Sequence, residues 1–217
     1  MLISGKSGTR SPGTAAATTG QLANDAERSL NRSIVPSSPA RSQTQDAPRG
    51  PSAAPSSDFL EDLAAATPTP GGGAAAAYTA AMAAGLVAMV ARLTIGKKKY
   101  ADVENQMKEI LAHAERLRAD LATAVNTDSA AYNGVLAAFK LPKETEEQER
   151  ARMAAIKTAT KRAANVPLQV ARQAVDVLSL AERCATLGNS NAISDAASAA
   201  ALALAALTSA GYNVRIN

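Results

Sequence analysis

Along most of the chain after residue 57, apolar residues return every three or four positions, the spacing of one face of a helix, and no run alternates as a half-buried strand would. The longest stripe runs from Asp102 to Lys140, where Val103, Met107, Ile110, Ala114, Leu117, Leu121 and Val125 fall in line. The same steps place Asp128, Tyr132, Val135 or Leu136, and Phe139 at the next inward positions. A second stripe, Met153, Ile156, Ala163, Val170, Val177 and Leu178, is interrupted by Pro167, which implies a kink or two abutting helices.

Two further segments are apolar all round. Ala74 to Ala91 is an uncharged run of 18 residues, and no charge falls between Asp195 and Arg215. Helices of that kind are buried, and their small side chains let neighbours approach closely. The first run reaches the length of a membrane span. Its many Ala and Gly residues supply little transfer energy and its flanks lack aromatic anchors, so a buried bundle helix is expected and a membrane partner is not.

Helix-end signals agree with these periods. Asp58 and Glu61 stand like a capping box ahead of Phe59, Leu60 and Leu63, and Pro68 and Pro70 close that short helix. Gly96 follows the Ala-rich helix as a residue after its cap, and Thr145 with Gln148 offers a second capping box after the Leu141–Pro142–Lys143 turn. Gly188 ends the next helix; Asn189, Ser190, Asn191 or Ser194 can cap the last one, with Asp195 in its first turn. The fold class is therefore all-α, a multihelical bundle of five or six helices, with part of its core shared between subunits.

Composition divides the chain. Residues 1–57 hold six of the ten prolines and six basic against three acidic residues, a net +3 that leaves +1 for residues 58–217. The first stretch reads as a disordered Pro/Ser/Ala/Arg-rich tail and the second as the folded domain. With the basic excess mostly in the tail, and with few aromatic residues, no nucleic-acid partner is expected. No secretory signal or disulfide framework is visible, which fits a cytoplasmic protein, and the single cysteine, Cys184, lies in a helical pattern as a packing residue.

Several residues stand out chemically. Asp128 sits on a stripe that burial would penalise unless it is networked or functional; a helix break at Asn126 and Thr127 would make it a cap instead. Asp195 is either a dipole partner for its helix or a carboxylate at the mouth of a buried one. Lys97, Lys98 and Lys99 are cations at a helix C-terminus or a site for an anionic ligand, and because adjacent lysines diverge only one or two can serve one site. His113 lies at a stripe's edge beside Ile110 and Leu117, and no metal-ligand spacing or phosphate-loop consensus occurs.

Four motifs in order, PTPGGG (68–73), MVARLTIGKKKY (89–100), KLPKET (140–145) and NSNAISD (189–195) through NVRIN (213–217), resemble the cyclodeaminase/cyclohydrolase family. That family comprises standalone methenyltetrahydrofolate cyclohydrolases and the cyclodeaminase half of formiminotransferase-cyclodeaminase. The resemblance covers Asp58 to the end. It implies an intertwined homodimer, a folate site near the subunit interface, a tetrahydrofolate derivative as substrate, and no metal or prosthetic group. Relatives carry a further helix after the segment matching Asn213–Asn217, which implies a C-terminally truncated domain, and they usually have Ala-Gly where Ala196-Ala197 stand.

Under this resemblance Asp195 and Asp128 are the candidate catalytic acids. A fixed carboxylate stabilises the methenyl cation and accepts a proton from attacking water. Asn191 and Ser194 are candidates for holding the pterin or the water. Lys97, Lys98, Lys99 and Arg215, with Asn213 beside it, suit the anionic glutamate tail. The Gly71, Gly72 and Gly73 turn lets backbone approach a flat ring. The implied activity is cyclohydrolase; alternatives are a formiminotetrahydrofolate cyclodeaminase releasing ammonia and a non-catalytic helical folate-binding or dimerisation module.

Overall fold

The helix-end chemistry read from the sequence sets most of the boundaries. In a computed structural model that describes residues 57–216, five α-helices follow one another: α1 (Ser57–Ala64), α2 (Gly72–Thr94), α3 (Glu104–Phe139), α4 (Glu146–Leu187) and α5 (Ile193–Ile216). Single 3-10 segments, Lys98–Val103 and Ser190–Ala192, lead into α3 and α5. The tail expected to be disordered lies outside the described residues, apart from Ser57.

Thr145 and Gln148 form the capping box their spacing predicts. The Gln148 amide donates to Thr145 Oγ1 at 3.2 Å, and Gln148 Oε1 accepts from the Thr145 amide at 3.3 Å. Behind α2, Gly96 takes a φ of 76°, a left-handed conformation that costs glycine little, and its amide donates to Glu104 Oε2. The first helix ends at Ala64, before the prolines expected to stop it. Pro167 is buried inside one continuous 42-residue α4, so the two abutting helices allowed by the sequence are a single element.

Helix α2 is the axis. It packs against α3, α4 and α5, while α3 also packs on α4 and α4 on α5. The start of α2 meets late α3 and late α5, through Gly73 beside Asp128 and Gly72 beside Asn213. Its end meets the C-terminal end of α4, where Cys184 Sγ lies 3.8 Å from the Val87 carbonyl, and the start of α5, where Asn189 bonds Thr94. Successive helices therefore run up, down, up and down. At its start α2 is also covered by α1, whose Phe59 ring lies 5.1 Å from that of Tyr78.

Alanine makes this arrangement close. Ala74, Ala77, Ala80, Ala83, Ala84 and Ala91 of α2 share one core with Ala199, Ala203, Ala206 and Ala210 of α5, all fully buried. The larger core groups are few and come chiefly from α3 and α4, among them Met107, Ile110, Leu121, Val170 and Val177. Cutting one of these to alanine costs about 2–5 kcal/mol, because the alanine surfaces around it have no side chain with which to fill the hole.

Two expectations about burial are corrected. The α3 stripe is buried from Met107 to Val125, but Tyr132, Leu136 and Phe139 are exposed, and Ala131 and Ala138 are the inward residues beyond Asp128. The reason is length: α3 passes the start of α2 at Asp128 and continues for about 16 Å beyond it, past the end of its partner. Helix α5 is likewise not buried on all faces within one chain. Its alanine face is covered, whereas Ile193, Leu204, Tyr212 and Ile216 are exposed.

Candidate functional site at the two ends of the central helix

The sequence-predicted residues gather in two clusters. The first forms at the start of α2. Gly71 is extended backbone with no side-chain cap, and α2 begins at Gly72. Helix α3, unbroken through Asn126 and Thr127, carries Asp128 onto this point as part of its inward stripe. The alternative of Asp128 as a new helix cap is thereby removed.

Asp128 occupies the space in which any side chain at residue 73 would stand: a Cβ there would overlap its carboxyl group. The Ala74 amide hydrogen-bonds the carboxylate, using one of the orphan donors of the helix start. Burial raises the Asp128 pKa above the ordinary carboxylate value, against the smaller opposing effect of that amide. The fold thus holds a half-buried acid whose protonated form is favoured relative to free aspartate.

Late α5 closes the cluster. Asn213 packs on Gly72, where an added Cβ would lie 3.2 Å from its Nδ2, and Asn213 Nδ2 donates to the Ser209 carbonyl at 2.9 Å. The Ser209 hydroxyl points at the Gly72 carbonyl at 3.5 Å. Sequence reasoning missed Ser209; its position four residues before Asn213, one helical turn away, was the available signal. Arg215 is exposed at the end of α5, close to this cluster along the chain.

The second cluster lies at the opposite end of α2, which is about 33 Å long at 1.5 Å per residue. Thr94 is buried; its hydroxyl donates to the Val90 carbonyl at 2.7 Å and accepts from the Asn189 amide at 2.9 Å. Asn189 caps the 3-10 turn, its Oδ1 accepting from the Asn191 amide at 3.1 Å, while its Nδ2 donates to the Leu93 carbonyl at 3.0 Å. One asparagine therefore ties the start of this loop to the last turn of α2 by two bonds and caps the turn that follows.

Tyr100 adds a third tie. Its phenol oxygen accepts from the Ser190 amide at 2.9 Å and lies 3.1 Å from the Ser190 hydroxyl. Lys99 Nζ is 3.5 Å from that hydroxyl and 5.2 Å from the Tyr100 ring centre. These contacts from Ser190, with Lys99 behind them, lower the Tyr100 pKa. Lys97 and Lys98 are exposed, and among the described residues neither forms a salt bridge. Asn191 and Ser194 are exposed at the start of α5, and Asp195 is half-buried in its first turn.

The two candidate acids therefore do not meet within one chain. Gly71, Gly72, Gly73, Asp128, Asn213 and Arg215 belong to one end, and Lys97, Lys98, Lys99, Asn191, Ser194 and Asp195 to the other. Cys184 is buried in the α2–α4 seam, and burial pushes its thiol pKa up to about 11, the environment of an inert packing thiol.

Comparison with known proteins places this architecture. A methenyltetrahydrofolate cyclohydrolase of Methylorubrum extorquens is 48% identical over 159 residues, which are 73% of this chain and 76% of that protein. The formimidoyltransferase-cyclodeaminase of Rattus norvegicus is 31% identical over 73% of this chain, which spans only 29% of that longer protein. A solved structure of formiminotetrahydrofolate cyclodeaminase from Thermotoga maritima superposes with a TM-score of 0.66 at 36% identity, covering 74% of this chain and 76% of that one. With residues 55–217 matching the formiminotransferase-cyclodeaminase family, the chain belongs to that family.

Proposed function

We propose that this protein is an enzyme of tetrahydrofolate one-carbon metabolism that hydrolyses methenyltetrahydrofolate to formyltetrahydrofolate. The observation that carries the reading is the 48% identity to a cyclohydrolase across three quarters of that protein's length. Identity to the cyclodeaminase-containing relative is 31%. Ammonia release from formiminotetrahydrofolate is the second reading, favoured by the structural likeness to a cyclodeaminase.

The chemistry needs a carboxylate near a cationic carbon. Water adds its oxygen to the bridging carbon, and one carbon–nitrogen bond breaks. One water hydrogen ends on the released nitrogen and the other leaves as a proton. Asp128 suits the base role: its half-buried carboxyl group is fixed by Gly73 and the Ala74 amide, and its raised pKa lies nearer the working pH than that of a free aspartate. The cationic substrate in turn favours the ionised carboxylate.

Asp195 is the second candidate acid, with Asn191 and Ser194 as polar contacts for the pterin or the water. Lys97, Lys98, Lys99 and Arg215 receive the anionic glutamate tail, and Asn213 and the glycine turn flank the ring. A single site holding groups from both ends of α2 requires a second copy of the chain. The exposed apolar positions of α5, Ile193, Leu204, Tyr212 and Ile216, support such a homodimer.

Loss of the methenyl cation's absorbance on adding the full chain tests the reaction. Acceleration over buffer is expected; no acceleration with folate binding retained leaves a binding module. Ammonia release from formiminotetrahydrofolate decides between the two chemistries.

A further inference from the structure

Tyr100 is the one aromatic side chain that ties the Lys97–Lys99 segment to the polar turn before α5, and the reaction as written assigns it nothing. It lies in a 3-10 segment and has itself left helical geometry, with φ of −118° and ψ of 20°. The Tyr100 amide donates to the Lys97 carbonyl at 2.9 Å, so the ring is carried by the lysine turn itself. From there its oxygen engages Ser190 twice, at the amide and at the hydroxyl, while Lys99 Nζ reaches the same hydroxyl.

Among the described residues nothing else on the lysine turn bonds to the start of α5. Thr94 and Asn189 fix the loop to the α2 terminus, but they lie before the glycine at residue 96, and the backbone amide bonds of the lysine turn, Lys97 to Thr94 and Gly96 to Glu104, hold it to α2 and α3 rather than to α5. The lysine turn is thus coupled to the start of α5, among the described residues, through Ser190 alone, by two contacts from Tyr100 and a longer one from Lys99 Nζ. We propose that Tyr100 is a positioning residue for the reaction: through Ser190 it holds the Lys97–Lys99 turn and the Asn191–Asp195 segment in one preformed arrangement, ready for an anionic, ring-bearing substrate. This role rests on the folate reading above, since it matters only if both segments belong to the site.

Preorganisation predicts a particular kinetic signature. An arrangement that must be ordered at binding weakens substrate and transition state alike, which raises KM and leaves kcat nearly unchanged. The Tyr100 oxygen and Ser190 hydroxyl act as one pair, so their removals are not additive.

The experiment measures methenyltetrahydrofolate hydrolysis by the full chain as wild type, Tyr100→Phe, Ser190→Ala and the double variant, with Asp128→Asn alongside. Tyr100→Phe is expected to raise KM about tenfold with kcat within about twofold, and the double variant to be no worse than Tyr100→Phe within about twofold. Wild-type kinetics for Tyr100→Phe, a loss carried by kcat, or multiplying effects in the double variant overturn the proposal. An inactive wild type defeats the folate reading and this role with it. An active wild type, an inactive Asp128→Asn and an unaffected Tyr100→Phe defeat this role alone.

Discussion

The two ends of α2 are built on opposite principles. At its start a carboxyl group is pressed against glycine backbone, half-buried, with its protonation set by the fold. At its end the groups are cations, hydroxyls and amides at an open mouth, held by hydrogen bonds between exposed side chains and loop backbone. The first end has the steric definition expected of a group that handles protons. The second has the spread of donors expected of a surface that receives an anion. The contrast teaches that the more promising acid is the one whose neighbours leave it no alternative place, and that is Asp128 rather than Asp195.

The largest effect expected from this contrast is at Asp128. Asp128→Asn keeps the shape and the acceptor for the Ala74 amide but removes the base, so kcat falls by about 10²–10⁴-fold in the absorbance assay while the far-ultraviolet dichroism stays helical. Because the folded carboxyl has a raised pKa, its contribution to stability is present in acid and is lost as pH rises through that value. The Asn variant is therefore at least as resistant to heat as wild type at neutral pH, an advantage that shrinks as pH falls. In the wild type, activity declines on acidification along a limb displaced upward from that of a free aspartate, and Asp128→Asn lacks that limb.

Next comes Gly73→Ala. Its methyl group and the Asp128 carboxyl claim one space, so about 1–3 kcal/mol of stability is lost in denaturant titration, and the same displacement lowers turnover. Asp195→Asn is expected to cut turnover about tenfold with the fold intact, less than the roughly 10²–10⁴-fold of a full general-base contribution. A larger loss at Asp195 than at Asp128 reverses the comparison. Smallest is the Lys97→Gln, Lys98→Gln double variant, which raises KM about two- to threefold because both ammonium groups are exposed and screened.

How far the sequence alone reaches follows the same division. Helix periods, the Thr145–Gln148 box, Gly96 and Gly188 were readable because each is settled by residues within one or two turns. The anomaly of Asp128 on an apolar stripe was readable for the same reason. What periodicity cannot contain is where a neighbour stops: the stripe predicts Tyr132, Val135 or Leu136, and Phe139 inward, yet only Val135 of these is half-buried and the rest emerge, because α2 starts level with Asp128. Nor could spacing pair Tyr100 with Ser190, ninety positions apart, or show that Asp128 and Asp195 lie at opposite ends of one helix.

The alanine packing of α2 gives its length a further meaning. With neighbours packed closely on three sides, the helix has little room to rotate or slide to absorb a change in its own register. One residue inserted between Ala80 and Val87 would advance the far end by about 1.5 Å and turn it by about 100°, carrying Thr94 away from Asn189 while Gly73 stayed under Asp128. The helix is in this sense a phase standard, and the angular relation between its two mouths is written in a residue count.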